Sequence, residues 1–244
     1  MNYNQQLKGH RYVLAHEDEE YLASEACRSE RMKLEYDRVE YVLNSHNIHS
    51  TVVVFGSARL DKNTQDWMDA RAFARYVAEY SPKGENIIVT GGGPGIMEAA
   101  NMGATHDAQV PSIGLNIELP FEQTHNPYST PELTFNMKYF STRKFHLVLR
   151  CAAVIAFPGG FGTLDEVYEV LTLKQVGILQ DVPVVLFNSQ FWSNMMPTEY
   201  MVEYGTISKK DKELYRLCNT PLGAWNYINE YNNNFNLKKD NKHV

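Results

Sequence analysis

From Thr51 onward this chain repeats one pattern: a short run of β-branched and apolar residues ends in a glycine-rich turn, and amphipathic helical spacing follows at once. That alternation is what βαβ units require, with parallel strands covered by helices on both faces. It is sharpest at Ala156-Phe157-Pro158-Gly159-Gly160-Phe161-Gly162-Thr163-Leu164-Asp165-Glu166. The apolar run 152–157 stops at a proline and three glycines, and Leu164, Val167, Val170 and Leu171 then fall at helical spacing. Glycines let the backbone approach a ligand closely, and the amides opening the helix face the same point with the positive end of its dipole behind them. The stretch is expected to seat a phosphate.

The same reading places strands at 51–55, 86–90, 112–117, near 132–139, at 152–157 and at 182–187, all short and all but the fourth carrying Val or Ile, as a parallel sheet buried on both faces demands. Helices are expected over 65–80, from the Gly91 turn to about Asp107, from about Ser141, and after Gly162. The loop 118–131 carries three prolines and is long enough to suggest a function. Residues 191–231 read as helical, and the Asn- and Lys-rich end from Asn232 is expected to fray. The division is a helical N-terminal extension (1–50), one α/β domain (51–231) and a polar tail (232–244). In the extension Met32, Tyr36, Val39 and Leu43 form a helical stripe expected to pack on the domain, while His46 and His49 read as loop residues rather than metal ligands.

With 244 residues and 43% hydrophobic content the chain can bury a full core. A net charge of −6 argues against a nucleic-acid or membrane surface, so neither is expected as a partner and any phosphate site must be local. Three scattered cysteines, Cys27, Cys151 and Cys218, indicate neither a disulfide framework nor zinc, and suit a reducing cytosol. No apolar signal core opens the chain, and the longest apolar run is too short to span a bilayer, so a cytoplasmic protein is expected. No metal and no cofactor is expected.

Two glycine turns, Gly92-Gly93-Pro94-Gly95 and Gly159-Gly160-Phe161-Gly162, stand at strand ends and precede helices that carry Glu98 and Glu166. Both can face one crevice outside the carboxyl ends of the strands. The GxxxxGK motif of ATPases and GTPases is missing, and GxGxxG fails: counted from Gly91 its last position is Ile96, and from Gly93 it is Glu98. A nucleoside monophosphate, with one phosphate to hold, fits better. Thr163 to Glu166 matches the T-x-x-E capping box, so Glu166 is expected to fold back toward the phosphate, within reach of an attached ribose. Arg143 and Lys144 fall in the first turn of a helix, where the dipole disfavours cations, and so suggest an anionic ligand. His146 reads as a packed or surface residue, and His106 and His125 have no evident partner.

The run FGSAR, then GGGPGIMEAAN, GLNIELPFEQTHNPY, STRK and PGGFGTLDEVYEVLTLKQ, from about Thr51 to beyond Val182, resembles the LONELY GUY family of nucleoside 5′-monophosphate phosphoribohydrolases, many of which carry the label possible lysine decarboxylase. The resemblance implies a Rossmann-like, doubly wound, mainly parallel sheet, a homodimer or larger assembly, and hydrolysis of a nucleotide such as AMP to free base and ribose 5-phosphate. It assigns Arg143 and Glu166 as the catalytic pair and Gly159, Gly160, Gly162 and Thr163 as the phosphate turn. Glu98, where short plant-type members have glycine, and the residues before Thr51 place the chain nearer the longer bacterial members.

The chemistry of these residues agrees with that assignment. Breaking a ribosyl C–N bond builds positive charge on the sugar, which a carboxylate such as Glu166 can stabilise while it positions or deprotonates water. Arg143 would orient the nucleotide, with Gly92, Gly93, Gly95, Glu98 and Lys144 completing the binding set; Glu98 offers a second carboxylate for ribose hydroxyls. Neither Lys144 nor Lys174 has the setting of a Schiff-base lysine. The alternative is a non-catalytic carrier of a nucleotide or of molybdenum cofactor, which relatives of this fold include; the Arg143 and Glu166 combination is what a carrier would not need.

Overall fold

The computed structural model describes residues 13–120, 125–179 and 181–240, with side chains as far as Asn233. The expectations for the first residues of the chain, for part of the 118–131 loop and for 241–244 therefore lie outside the described residues. Seven parallel strands form one sheet in the order β4-β3-β2-β1-β5-β6-β7. They are β1 (Thr51–Phe55), β2 (Ile87–Thr90), β3 (Ile113–Ile117), β4 (Thr134–Met137), β5 (Cys151–Ala156), β6 (Val184–Phe187) and β7 (Arg216–Cys218). The helices are α1 (Glu19–Ala23), α2 (Arg28–Ser45), α3 (Gln65–Tyr80), α4 (Ile96–Met102, extended as a π turn over Gly103–Asp107), α5 (Phe140–Leu149), α6 (Phe161–Gln175), α7 (Ser189–Met195), α8 (Thr198–Tyr204) and α9 (Pro221–Asp240). None of the described helices is long and apolar enough to cross a membrane.

Alternation along the strands divides the core in two. Val53, Phe55, Val89, Val154, Ala156 and Leu186 face a layer built by α2, α5 and α6, and Val52, Val54, Ile88, Ala153, Ile155 and Val185 face α3, α4 and α9. Val39 and Leu43 of α2 are buried in the first layer, so the N-terminal stripe packs on the domain as its spacing predicts. The helix carrying Arg143 and the helix carrying Glu166 thus share one face of the sheet with the extension.

One expectation is corrected here. Region 191–231 is not all helical, because β7 adds a seventh strand beside β6. It is a three-residue edge strand, Arg-Leu-Cys, with no β-branched residue to announce it. Helix α9 runs on to Asp240, past the point at Asn232 where the polar tail is expected to begin.

Candidate active site

Strand order reverses at the neighbours of β1, and ligands of open parallel sheets lie outside the strand ends at such a reversal. Three turns meet there. The Ser57 amide donates to the Pro158 carbonyl and the Ile96 amide to the Ser57 carbonyl, both at 3.0 Å, which stitches together the turns after β5, β1 and β2. They frame a cleft of about 620 Å³ walled by the Gly56–Arg59 turn, Gly91, Met97, Phe140, Arg143 and the start of α6.

That helix begins at Phe161 with Gly160 as its N-cap and no side-chain cap. Its first helical bond runs from the Leu164 amide to the Gly160 carbonyl at 3.0 Å, so the amides of Phe161, Gly162 and Thr163 have no helical acceptor. The expected capping box is therefore not formed. Thr163 lies in the first turn instead, its hydroxyl occupying the space that a side chain at Gly159 would need, so glycine there lets the helix start early. The shift also clears the helix mouth of acids: none stands in the first turn. A Cβ at Gly160 or Gly162 would meet no protein atom within 4 Å. The protein's own packing thus gives these two glycines no steric reason, and both line the cleft.

Arg143 and Glu166 meet across the cleft wall. An Arg143 guanidinium nitrogen donates to Glu166 Oε1 at 3.0 Å, with the side chains 11% and 13% exposed. Burial pushes the Glu166 carboxyl up to about 7, against the opposing pull of Arg143. Gly91 is required by this geometry, because a Cβ there would come 2.6 Å from the guanidinium. The buried Arg143 Nε has no hydrogen-bond partner among the described residues. Lys144 turns to the solvent side of α6, where its ammonium holds Asp165 at 2.7 Å and Glu169 at 3.1 Å. The misplaced cations at the start of α5 are thus met by the carboxylates of α6.

Of the predicted residues, Arg143, Gly160, Gly162, Thr163 and Glu166 come together at the cleft. Gly159 supports Thr163 from behind, and Lys144 stands outside the lining. Gly92, Gly93 and Gly95 are not brought to the wall. The carbonyls of Gly92 and Gly93 accept from Asn126, and Gly95, at φ 72°, lies against the Ser57 backbone with no room for a side chain. Glu98 is half-buried on α4, also outside the lining. Sequence reasoning missed Gly91 and the Ser57–Arg59 turn as cleft walls. A signal existed, since that turn ends the first strand of the alternating pattern. His146 is packed in the core under α2, His106 leans on Asp107 at 3.0 Å, and His125 lines a separate small hollow at β3 and β4. Among the described residues no cluster of three His, Cys, Asp or Glu could hold a metal.

A family model described as "Possible lysine decarboxylase" matches residues 97–228. The residues do not fit the pyridoxal phosphate which that description brings to mind: Lys144 is held by two carboxylates, and the buried Lys174 donates to the Val182 carbonyl at 2.5 Å. Among curated proteins, two cytokinin riboside 5′-monophosphate phosphoribohydrolases of Arabidopsis thaliana are 32% and 30% identical over 150 residues, covering 60% of this chain and 67% of each relative. Among solved structures, a molybdenum cofactor binding protein of Rippkaea orientalis superposes with a TM-score of 0.52 at 23% identity, covering 74% of this chain and 96% of that one. The molybdenum cofactor carrier protein of Chlamydomonas reinhardtii superposes at 0.51 and 19% identity, covering 75% and 98%. At such identities these two likenesses speak for the fold alone. The match over 97–228 spans more than half of the chain and contains the helices that bear Arg143 and Glu166, and the curated relatives are phosphoribohydrolases: this chain belongs to the LONELY GUY family, described as "Possible lysine decarboxylase".

Proposed function

We propose that this chain is a cytoplasmic hydrolase that cleaves the N-glycosidic bond of a nucleoside 5′-monophosphate, AMP or a modified AMP, to free base and ribose 5-phosphate. The observation that carries the reading is the buried Arg143–Glu166 pair on the wall of a cleft that also presents the open amides of Phe161, Gly162 and Thr163. Those amides and the exposed cation of Arg59 suit a 5′-phosphate. Glu166, beside them, suits the ribose. As the C–N bond breaks, its carboxylate stabilises the positive charge growing on the sugar and takes a proton from the water whose oxygen bonds to the anomeric carbon; the base leaves with the C–N electron pair and is protonated from solvent, and Glu166 then returns its proton to solvent. Arg143 stays protonated and acts by orientation and charge. A homodimer or larger assembly belongs to the same proposal.

The purified protein is expected to release adenine and ribose 5-phosphate from AMP, as read by chromatography. Because Glu166 must be ionised to accept a proton and its carboxyl titrates at about 7, kcat/KM should climb through neutral pH and level off above it. Glu166→Gln should abolish release while leaving the circular dichroism spectrum intact. If a panel of nucleoside monophosphates binds but yields no free base, the carrier reading replaces this one.

A further inference from the structure

Helix α5 has no cap of its own. Its N-cap residue, Tyr139, makes no side-chain cap bond, and its first turns hold no acid while Arg143 and Lys144 crowd them. The missing groups come from α2, more than a hundred residues earlier. One carboxylate, Glu35, accepts from the Lys138 amide at 2.7 Å, the Tyr139 amide at 3.3 Å and the Thr142 hydroxyl at 2.7 Å. It accepts from the N-cap amide and the amide before it, ties down the Thr142 hydroxyl of the first turn, and sets a negative charge beside the helix start, where the dipole favours one. The grip continues along α5. Tyr36 stacks on His146 at 5.1 Å between ring centres and meets Phe145 edge-on at 5.7 Å. At the far end Glu40 forms a two-pronged pair with Arg150, the C-cap of α5. Arg31 adds a bond from its Nε to the Tyr139 hydroxyl at 3.1 Å.

We propose that Glu35 is a positioning residue for the Arg143–Glu166 pair: by capping α5 from α2 it fixes the turn that holds Arg143 at the cleft, which makes the N-terminal extension a working part of the site. Thr142, which Glu35 binds, immediately precedes Arg143, so a slack first turn moves the guanidinium directly. Among the described residues the buried Arg143 Nε has no hydrogen-bond partner to hold it in place. Where turnover is the readout, the proposal rests on the nucleotide hydrolysis proposed above; the helix geometry stands without it.

The test compares Glu35→Ala, Glu35→Gln and Asp37→Ala, the last an exposed control on the same helix whose carboxylate pairs with Lys33. Two readouts are taken on folded protein: kcat and KM for AMP, and the titration midpoint of the Glu166 carboxyl by carbon-13 NMR without substrate. The charged groups facing Glu166 are Arg143 and Lys144 from α5 and Asp165 and Glu169 on its own helix. Glu35→Ala should lower kcat about tenfold or more with a smaller change in KM, as expected when a catalytic group is misplaced by an ångström or less. It should also raise the Glu166 midpoint, because Arg143 no longer holds its place. Glu35→Gln, which keeps an acceptor oxygen, should fall between, and Asp37→Ala should match the wild type. An unchanged midpoint in folded Glu35→Ala, or in Glu35→Gln should the alanine variant not fold, overturns the proposal. Wild-type protein that cleaves no nucleotide would sink the proposed reaction, and the NMR midpoints would still decide the role of Glu35.

Discussion

Arg143 sits where the α5 dipole opposes it, and three separate features of the chain make room for it: the glycine at 91, the carboxylate of Glu166 and the cap from Glu35. Such convergence on a partly desolvated cation is costly to arrange for stability alone, which is why it points to a ligand. Gly160 and Gly162 make the same point by absence, since nothing in the protein forbids a side chain at either. Gly162→Ala should therefore stabilise the fold, by about 0.5 kcal/mol from helix propensity, and yet weaken nucleotide binding by crowding the cleft. Urea unfolding and equilibrium binding of AMP check the two halves; an alanine that leaves binding untouched would count against a phosphate at these amides. Arg143 was legible in the sequence because a cation in the first turn of a helix opposes the dipole, and Glu166 because it follows the glycine turn by one helical turn. Glu35 was not, since a cap donated from a distant helix leaves no local signature. The helix start was misread because Thr163 and Glu166 carry a capping pattern, whereas Gly160 takes the cap position.

At the scale of elements, the site is the meeting of α5 and α6, braced by α2. The brace is apolar as well as polar: Leu43, 3% exposed, and Val39, 1% exposed, enter the same core layer as the strands and α6. Removing three carbons from Leu43 leaves a cavity that a helix fixed at several points along α5 cannot easily close. Leu43→Ala should cost about 2–4 kcal/mol, read as a lower urea midpoint with an unchanged slope. A loss below about 0.5 kcal/mol would mean that α2 is a loose appendage, against the packing described. The long elements were legible because periodicity and glycine turns agree in them. β7 was not, as three edge residues give no period to read.

Across the whole molecule, the sheet order reverses beside β1, and the α2, α5 and α6 layer carries two buried titrating groups with opposite effects on stability. The folded chain holds the Glu166 carboxyl at about 7 against an ordinary 4.5, so between those values the folded state keeps a proton that the unfolded chain has lost. Stability from this group falls as pH rises through that window, in total by something on the order of 3 kcal/mol. His146 runs the other way. Burial lowers it below its ordinary 6.5, so the unfolded chain binds the extra proton and stability rises with pH until that value is passed. The carboxyls of Glu40 and Asp107, held low by hydrogen bonds from Arg150 and Arg71, lose their contribution only in more acidic solution. The two slopes therefore oppose each other below about pH 6.5, where the unfolded histidine titrates, and above it the Glu166 slope acts alone, so wild-type stability should decline from there toward neutrality. Glu166→Gln removes the Glu166 slope and leaves every other, so the gap between the urea midpoints of the two proteins should widen in favour of the variant from about pH 4.5 up to about pH 7. Parallel curves for the two proteins would show that Glu166 is not buried in the folded chain, and with that the chemistry assigned to it would lose its physical basis.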